Sequence, residues 1–221
     1  VLFTGILGTG HHYYFIGTPK YWHWVGGIFS SLEPVPLLLM VWDAFRTTRE
    51  ARNVSNKAGL FYTVAHAIFN FVGAGLWGVI HTLPQVNQWT HGTQITTAHG
   101  HLAFYGAYVL LVISMIYVTL PAIRGVSSYN QSRAYAAFWW MTISMVFIVL
   151  TITGAGIVQT YMERLMGLDY VAVKTTYNMW FWIIRAIFGV GFLVGVAIFV
   201  YDFFKLGKEP APALSPAGQK A

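Results

Sequence analysis

Histidine supplies the neutral ring nitrogen that iron and copper favour, and this chain carries it in two closely spaced pairs. His99 and His101 flank Gly100 within an apolar run. A helix turns roughly 100° per residue, so the two rings point about 200° apart and cannot grip one metal from the same face. They can grip two. His11 and His12 would diverge on a regular helix, but the preceding Gly8 and Gly10 offer the freedom for an irregular turn that brings both to one metal. Two readings stand for each pair: ligands of a multi-metal redox centre, or interfacial imidazoles with ordinary hydrogen bonds.

Two charged residues in apolar surroundings add to this. Glu33, in Ser30-Ser31-Leu32-Glu33-Pro34-Val35-Pro36, falls near the middle of a span, where an ionisable group marks a proton or ion path or else a protonated carboxyl bonded to a neighbouring helix. Pro34 and Pro36 remove helix donors, predicting a kink and freed carbonyls. With Asp43 it makes up the carboxylates expected to be buried inward of the histidines. Arg185, a turn or two inside the last span, either pairs with an anionic group through its planar fork or snorkels outward.

The elements that must carry these residues are membrane helices. Of the 221 residues 56% are hydrophobic, 17% aromatic and 9% charged, with mean hydropathy +0.56, well outside the range of soluble globular domains. Five apolar runs, at about 22–45, 59–80, 98–122, 134–160 and 178–203, each approach the roughly 20 residues that cross a hydrocarbon core. The first apolar stretch reaches Gly8-Thr9-Gly10 too soon to cross and reads as the end of a sixth helix begun upstream. The remainder reads as short loops, and the Pro-rich 206–221 as a flexible tail after a transmembrane domain of residues 1–205. No cysteine is present, which excludes disulfides, iron-sulfur ligation and thioether-attached haem.

Basic residues segregate between alternate loops. One side holds Arg46, Arg49, Arg52, Lys57, Arg124, Arg133, Lys205, Lys208 and Lys220, and the other only Lys20, Arg164 and Lys174. The richer side is expected to be cytoplasmic, with the loops at 10–21, 82–96 and 162–176 facing outward. The net charge of +6 is explained by those cytoplasmic loops and calls for no nucleic acid. Seven of the eight histidines, all except His66, then fall at or near the outer face. That clustering fits an outward cofactor layer that needs nitrogen ligands.

Gly10-His11-His12-Tyr13-Tyr14-Phe15-Ile16-Gly17-Thr18-Pro19, the Glu33 segment, and Thr90-His91-Gly92-Thr93-Gln94 running into Ala98-His99-Gly100-His101-Leu102-Ala103-Phe104 resemble, in order and spacing over residues 1 to about 205, the large subunit of cytochrome c-dependent nitric oxide reductases. These form a branch of the haem-copper oxidase superfamily. The resemblance implies an all-α bundle of twelve helices, of which this chain matches the carboxy-terminal half. It implies that His11 and His12 bind a non-haem iron, that His99 is the axial ligand of a high-spin haem b, and that His101 is one of two axial ligands of a low-spin haem b. Glu33 would stand near the dinuclear site and deliver protons, and His81 and His91 would meet haem propionates, the anionic group that Arg185 would also pair with if it does not snorkel. His23 and His66 match no motif and read as structural. The remaining iron ligands and the second low-spin axial ligand would lie in an amino-terminal half, either truncated from this sequence or carried by another polypeptide.

The implied reaction is 2 NO + 2 electrons + 2 protons to N2O and water. It would run in a bacterial inner membrane, with the site toward the periplasm, the C-terminus cytoplasmic, and electrons and protons arriving from outside. A membrane-anchored cytochrome c subunit would be the donor. The nearest competing reading is an oxygen-reducing C-type haem-copper oxidase, against which the Ser-Leu-Glu-Pro setting of Glu33 speaks. A haem-binding electron-transfer subunit without a dinuclear site predicts no non-haem metal. A membrane subunit without cofactors leaves the outward histidines unexplained.

Overall fold

Backbone polar groups in a bilayer must be satisfied within their own segment, so an apolar chain of this kind is expected to be helical throughout. The computed structural model describes residues 2–50, 54, 56–125 and 130–206. Arg52, Lys208, Lys220 and the tail beyond residue 206 lie outside the described residues. Among the described residues every regular element is helical. Five stretches are long and apolar enough to span a membrane: Tyr21–Glu50, Lys57–Thr82, Gln94–Ile123, Gln131–Leu165 and Met179–Lys205. The chain is an all-α membrane protein.

Three of the five spans start where a side chain caps them. Asn56 accepts from the Gly59 amide, Thr93 from Ile95 and Asn130 from Arg133, each satisfying an amide that lacks an intrahelical partner. Ahead of the spans lie helix α1 (Leu2–Gly8) and a 3-10 turn, Thr9–Tyr13. The first span is α2 (Tyr21–Ser31) followed by α3 (Pro34–Glu50), interrupted at Leu32-Glu33. The two prolines break the helix as expected, but they leave no free carbonyls. The Ser30 and Leu32 carbonyls are taken by the amides of Glu33 (3.1 Å) and Val35 (3.3 Å) three residues on, a local tightening that repairs the ladder.

The second span runs as α4 (Lys57–Asn70), a π-helical turn at Phe71–Trp77 and α5 (Gly78–Thr82). Segment 82–96, expected as an outward loop, folds a further helix, α6 (Pro84–Thr90), because Pro84 takes a first-turn position that needs no amide. The third span is α7 (Gln94–Phe104), a π-turn at Tyr105–Val109 and α8 (Leu110–Ile123). The fourth is α9 (Gln131–Thr160), ending in a π-turn at Tyr161–Leu165. Segment 162–176, also expected as loop, gains helical turns, α10 (Tyr170–Ala172) and Val173–Tyr177, before the last span, α11 (Met179–Lys205).

Helix contacts in lipid depend on close approach and interhelical hydrogen bonds, because lipid tails are as apolar as leucine. Both are present between the second and third spans. A Cβ added to Gly106 would lie 2.5 Å from the Phe69 carbonyl carbon, and one on Gly73 would lie 2.8 Å from that of Leu102, so these backbones touch directly. Thr63 and Ser114 hydroxyls bond at 2.6 Å across the same pair, and Tyr105 reaches Thr142 on α9 at 2.5 Å. Phe147 and Phe188 stack with centroids 4.3 Å apart between α9 and α11.

The two ends of the bundle differ in chemistry. At one end Arg133 Nε meets Asp202 Oδ1 at 2.7 Å, Tyr117 donates to Asp202 Oδ2 at 2.9 Å, and Arg124 donates to the Leu206 carbonyl. Among the described residues Asp202 is the fully buried carboxylate of this end, whereas Asp43 is exposed. Asp202 is buried because α11 carries it within reach of two donors on neighbouring spans. At the other end Tyr14 donates to the Thr82 carbonyl, Phe15 stacks on His91 and Arg164 donates to the His91 carbonyl. The three loops assigned to one side by charge thus meet at one end.

Gly106→Ala is expected to cost about 1–3 kcal/mol through overpacking against the Phe69 backbone, read as a lower melting temperature in detergent. Gly189→Ala, where an added methyl meets nothing within 4 Å, should leave it unchanged or slightly raised.

Candidate metal centre

His11 and His12 lie in the 3-10 turn with ring centroids 4.1 Å apart. The turn is not made by glycine freedom: neither Gly8 nor Gly10 has positive φ, and Gly8 is in the right-handed helical region. Glycine is needed here for contact. A Cβ on Gly10 would come within 3.1 Å of the Gly26 backbone on α2 and 2.9 Å from the Trp22 ring, so the turn seats directly on that helix. Tyr14 pins its far side, its one phenol proton shared between the carbonyls of Thr82 (2.8 Å) and His23 (3.1 Å), while His23 Nε2 returns a hydrogen bond to the Tyr14 carbonyl. His23 is thereby structural. Burial raises the Tyr14 phenol above its ordinary value and keeps it a donor.

The protonation of each ring follows from its partner. His11 Nδ1 lies 2.8 Å from Ser30 Oγ, and the single Ser30 proton goes to the Gly8 carbonyl at 3.0 Å. His11 must therefore donate from Nδ1, leaving the Nε2 lone pair free. Burial, reinforced by the neighbouring His12, pushes the His11 imidazole down to about 4, so it is neutral at pH 7 as metal binding requires. His12 is exposed and stands beside it.

His99 and His101 sit on the regular part of α7, so their rings leave on opposite sides as the spacing predicts. His99 Nδ1 donates to the Gly73 carbonyl at 3.1 Å, and its ring centroid is 5.3 Å from that of His81. Gly73 belongs to the π-turn of the second span, where the backbone widens; such turns recur at functional sites. His101 Nδ1 donates to the Thr97 carbonyl of its own helix at 2.9 Å. Carbonyls only accept, so in the neutral form of each ring the proton sits on Nδ1 and the Nε2 lone pair is the free one. His66 is anchored in the same way, to the Gly106 carbonyl at 2.7 Å, but deep in the helix contact.

The structure brings His11, His12, His81 and His99 into one neighbourhood, and the His11 ring feels the other three electrostatically. The half-buried Glu33 joins them from the α2–α3 break: its Oε1 would lie 3.1 Å from a Cβ on Gly8, which precedes the histidine turn. His81 is buried with both nitrogens engaged, Nε2 by the Trp77 indole (3.1 Å) and Nδ1 at Thr90 Oγ1 (3.3 Å). His91 is exposed against Phe15, and the Arg185 guanidinium lies 5.9 Å from the Trp182 ring centroid on its own helix. Among the described residues no three His, Cys, Asp or Glu side chains converge enough to hold a metal ion alone. Sequence reasoning missed Ser30 and the Gly73 carbonyl. A small hydroxyl three residues before a mid-span glutamate was the available signal for the first; a backbone carbonyl has none.

The sequence profile of the family described as cytochrome c and quinol oxidase polypeptide I matches residues 1–191. The chain is 43% identical over 98% of its length to a nitric oxide reductase subunit of Stutzerimonas stutzeri, covering 47% of that protein. It is 25% identical over 99% of its length to a cytochrome c oxidase subunit 1 homolog of Azorhizobium caulinodans, covering 41% of it. The match to cytochrome c oxidase subunit 1 of Rhodobacter capsulatus is 24% over 96%, again covering 41%. The chain thus spans about half the length of the curated relatives it matches, or less.

Tyr14→Phe removes the hydroxyl that ties the histidine turn to Thr82 and leaves a buried carbonyl short of a donor. The expected loss is about 1–3 kcal/mol, measured as a lower unfolding midpoint of the purified protein in detergent.

Proposed function

The chain belongs to the cytochrome c and quinol oxidase polypeptide I family, and from that premise we propose that it is the carboxy-terminal part of the catalytic subunit of a nitric oxide reductase. The observation that carries this is the arrangement of His11, His99 and His101 at one end of the bundle, each with Nδ1 tied to an oxygen of this chain, which supports Nε2 as the nitrogen offered to a metal. The nitric oxide reductase relative's identity of 43%, against 25% and 24% for the oxidases, favours the reductase over an oxygen-reducing relative.

In this reading His11 and His12 would hold a non-haem iron, His99 the high-spin haem b and His101 the low-spin haem b. The donor set fits, since neutral imidazole suits iron and the hydrogen bond on the opposite nitrogen fixes each ring and raises its basicity. When bound, the iron centres supply electron transfer and bring two NO molecules together for N–N coupling. The remaining ligands would come from the part of the subunit outside this chain.

The chain's own residues have separate jobs. Gly10 and Gly26 let the His11-His12 turn lie against α2, and Gly73 orients His99 through its carbonyl. Glu33, held at a helix break beside Gly8, is placed to pass protons toward the histidine turn. A carboxylate retained in an apolar span supports that role over a purely structural one. His91 and Arg185 offer donors at the outer end for haem propionates. His81, with its nitrogens engaged, would bear on that region through its packing against His99. The His-rich end would face the periplasm of a bacterial inner membrane, with the basic end cytoplasmic. Electrons would come from a membrane-anchored cytochrome c subunit.

The test is the metal content of the full complex: two haem b and one non-haem iron are expected, and copper in place of the non-haem iron would overturn the reading. His99→Ala should abolish the high-spin haem spectrum and leave the low-spin signal, with His101→Ala doing the reverse. Equal loss of both signals from either change would contradict the two-face assignment. Glu33→Gln should keep both haem spectra while turnover falls by about 100-fold or more, the scale of losing a positioned proton donor. Unchanged turnover would make Glu33 structural.

A further inference from the structure

Hydroxyl side chains inside apolar helices usually bond back to the carbonyl one turn earlier, where no other partner is within reach. This chain follows that habit at Ser31 with Gly27, Thr63 with Gly59, Thr119 with Met115 and Thr153 with Val149. Ser30 does not. Its hydroxyl leaves α2 altogether, donating to the Gly8 carbonyl at 3.0 Å and accepting from His11 Nδ1 at 2.8 Å. It is completely buried. The residue opposite must be glycine for this to happen, because a Cβ on Gly8 would lie 2.8 Å from Ser30 Oγ.

We propose that Ser30 is a positioning residue for the non-haem metal, acting through His11 by fixing both the tautomer and the ring orientation that aim Nε2 at the ion. The proposal rests on the metal-ligand reading of His11 given above. A hydroxyl has one proton and two lone pairs. The Gly8 carbonyl, which can only accept, takes the proton. The lone pair facing His11 therefore demands an N–H there, and the ring proton is held at Nδ1. A flip of the imidazole would turn a carbon toward Ser30 and strand the buried hydroxyl's acceptor side, so the same contact also sets the ring's rotation. For His99 and His101, backbone carbonyls at Gly73 and Thr97 do that work. The His11 ring also meets the Gly8 backbone carbonyl, but of these three rings only the one at the non-haem site has a replaceable side chain on Nδ1 as well.

Ser30 also sits three residues before Glu33, whose amide donates to the Ser30 carbonyl at 3.1 Å. The hydroxyl thus holds the histidine turn to the same helix end that carries the carboxylate. Moving one would move the other.

The test uses the full enzyme complex carrying Ser30→Ala or Ser30→Thr, with the non-haem iron to haem ratio and resistance to a ferrous chelator as readouts. The low-spin haem spectrum serves as the control for folding. Ser30→Ala should keep that spectrum while non-haem iron is released at about 10- to 100-fold lower chelator concentration. Ser30→Thr, which retains the hydroxyl, should hold iron as the parent does. Iron retained by both variants, or lost from both, overturns the proposal. So does loss of the haem spectrum together with iron in Ser30→Ala, which would make Ser30 a folding residue. Absence of non-haem iron from the unmutated complex would instead be the failure of the parent reading, before any variant is made.

Discussion

The histidine end of this protein depends on two spans approaching until their backbones touch. Gly73 and Gly106 each lie against the main chain of the other's helix, and a side chain at either position would force the pair apart. The contact sits where both helices change to wider π-turns. Its chemical consequence is that a backbone carbonyl of one span becomes the hydrogen-bond acceptor for an imidazole: Gly73 serves His99 on the opposite span, and Gly106 serves His66. If the helices separated, the Gly73 carbonyl would withdraw from His99, whose ring would lose its fixed tautomer. Packing and ligand chemistry are here the same interaction.

A second close contact repeats the logic on a smaller scale. The turn that holds His11 and His12 rests on Gly26 through Gly10, and is tied down by Ser30 on one side and Tyr14 on the other. Tyr14 extends the tie to Thr82 at the far end of the second span, which bears His81 beside His99 of α7. The turn, the first span and the second span are therefore held as one unit around the imidazoles. Glu33 enters this unit because two prolines end α2 just where its carboxylate can reach the Gly8 backbone. The opposite end carries a different buried network, Asp202 with Arg133 and Tyr117, far from the imidazoles and concerned with fastening α11 to its neighbours.

Much of the framework is legible in the chain itself. Five apolar runs of bilayer length and the division of basic residues between alternate loops require only periodicity, composition and counting. The outward clustering of imidazoles follows once the loops have sides, and the loops do meet at one end. Where local reasoning fails, a partner outside the local pattern has decided. Gly10 reads as a source of φ freedom, but it serves contact with Gly26. The prolines read as freeing carbonyls, but nearby amides close them again. Asp43 reads as buried and is exposed, while Asp202 is buried because Arg133 and Tyr117 are brought to it from other helices.

The sequence by itself determined the class of molecule, its helices, the separation of its two ends and the candidate ligand-bearing side chains, because hydropathy, spacing and residue chemistry are properties of single segments. It also determined that His99 and His101 face different ways, since that is a matter of helical angle alone. Only the tertiary structure decided which nitrogen His99 and His11 present. The proton of His99 is fixed by the Gly73 carbonyl and that of His11 by Ser30, partners 26 and 19 residues away in the chain. A tautomer is chosen by whatever lies opposite the ring, and helix packing puts Gly73 and Ser30 there.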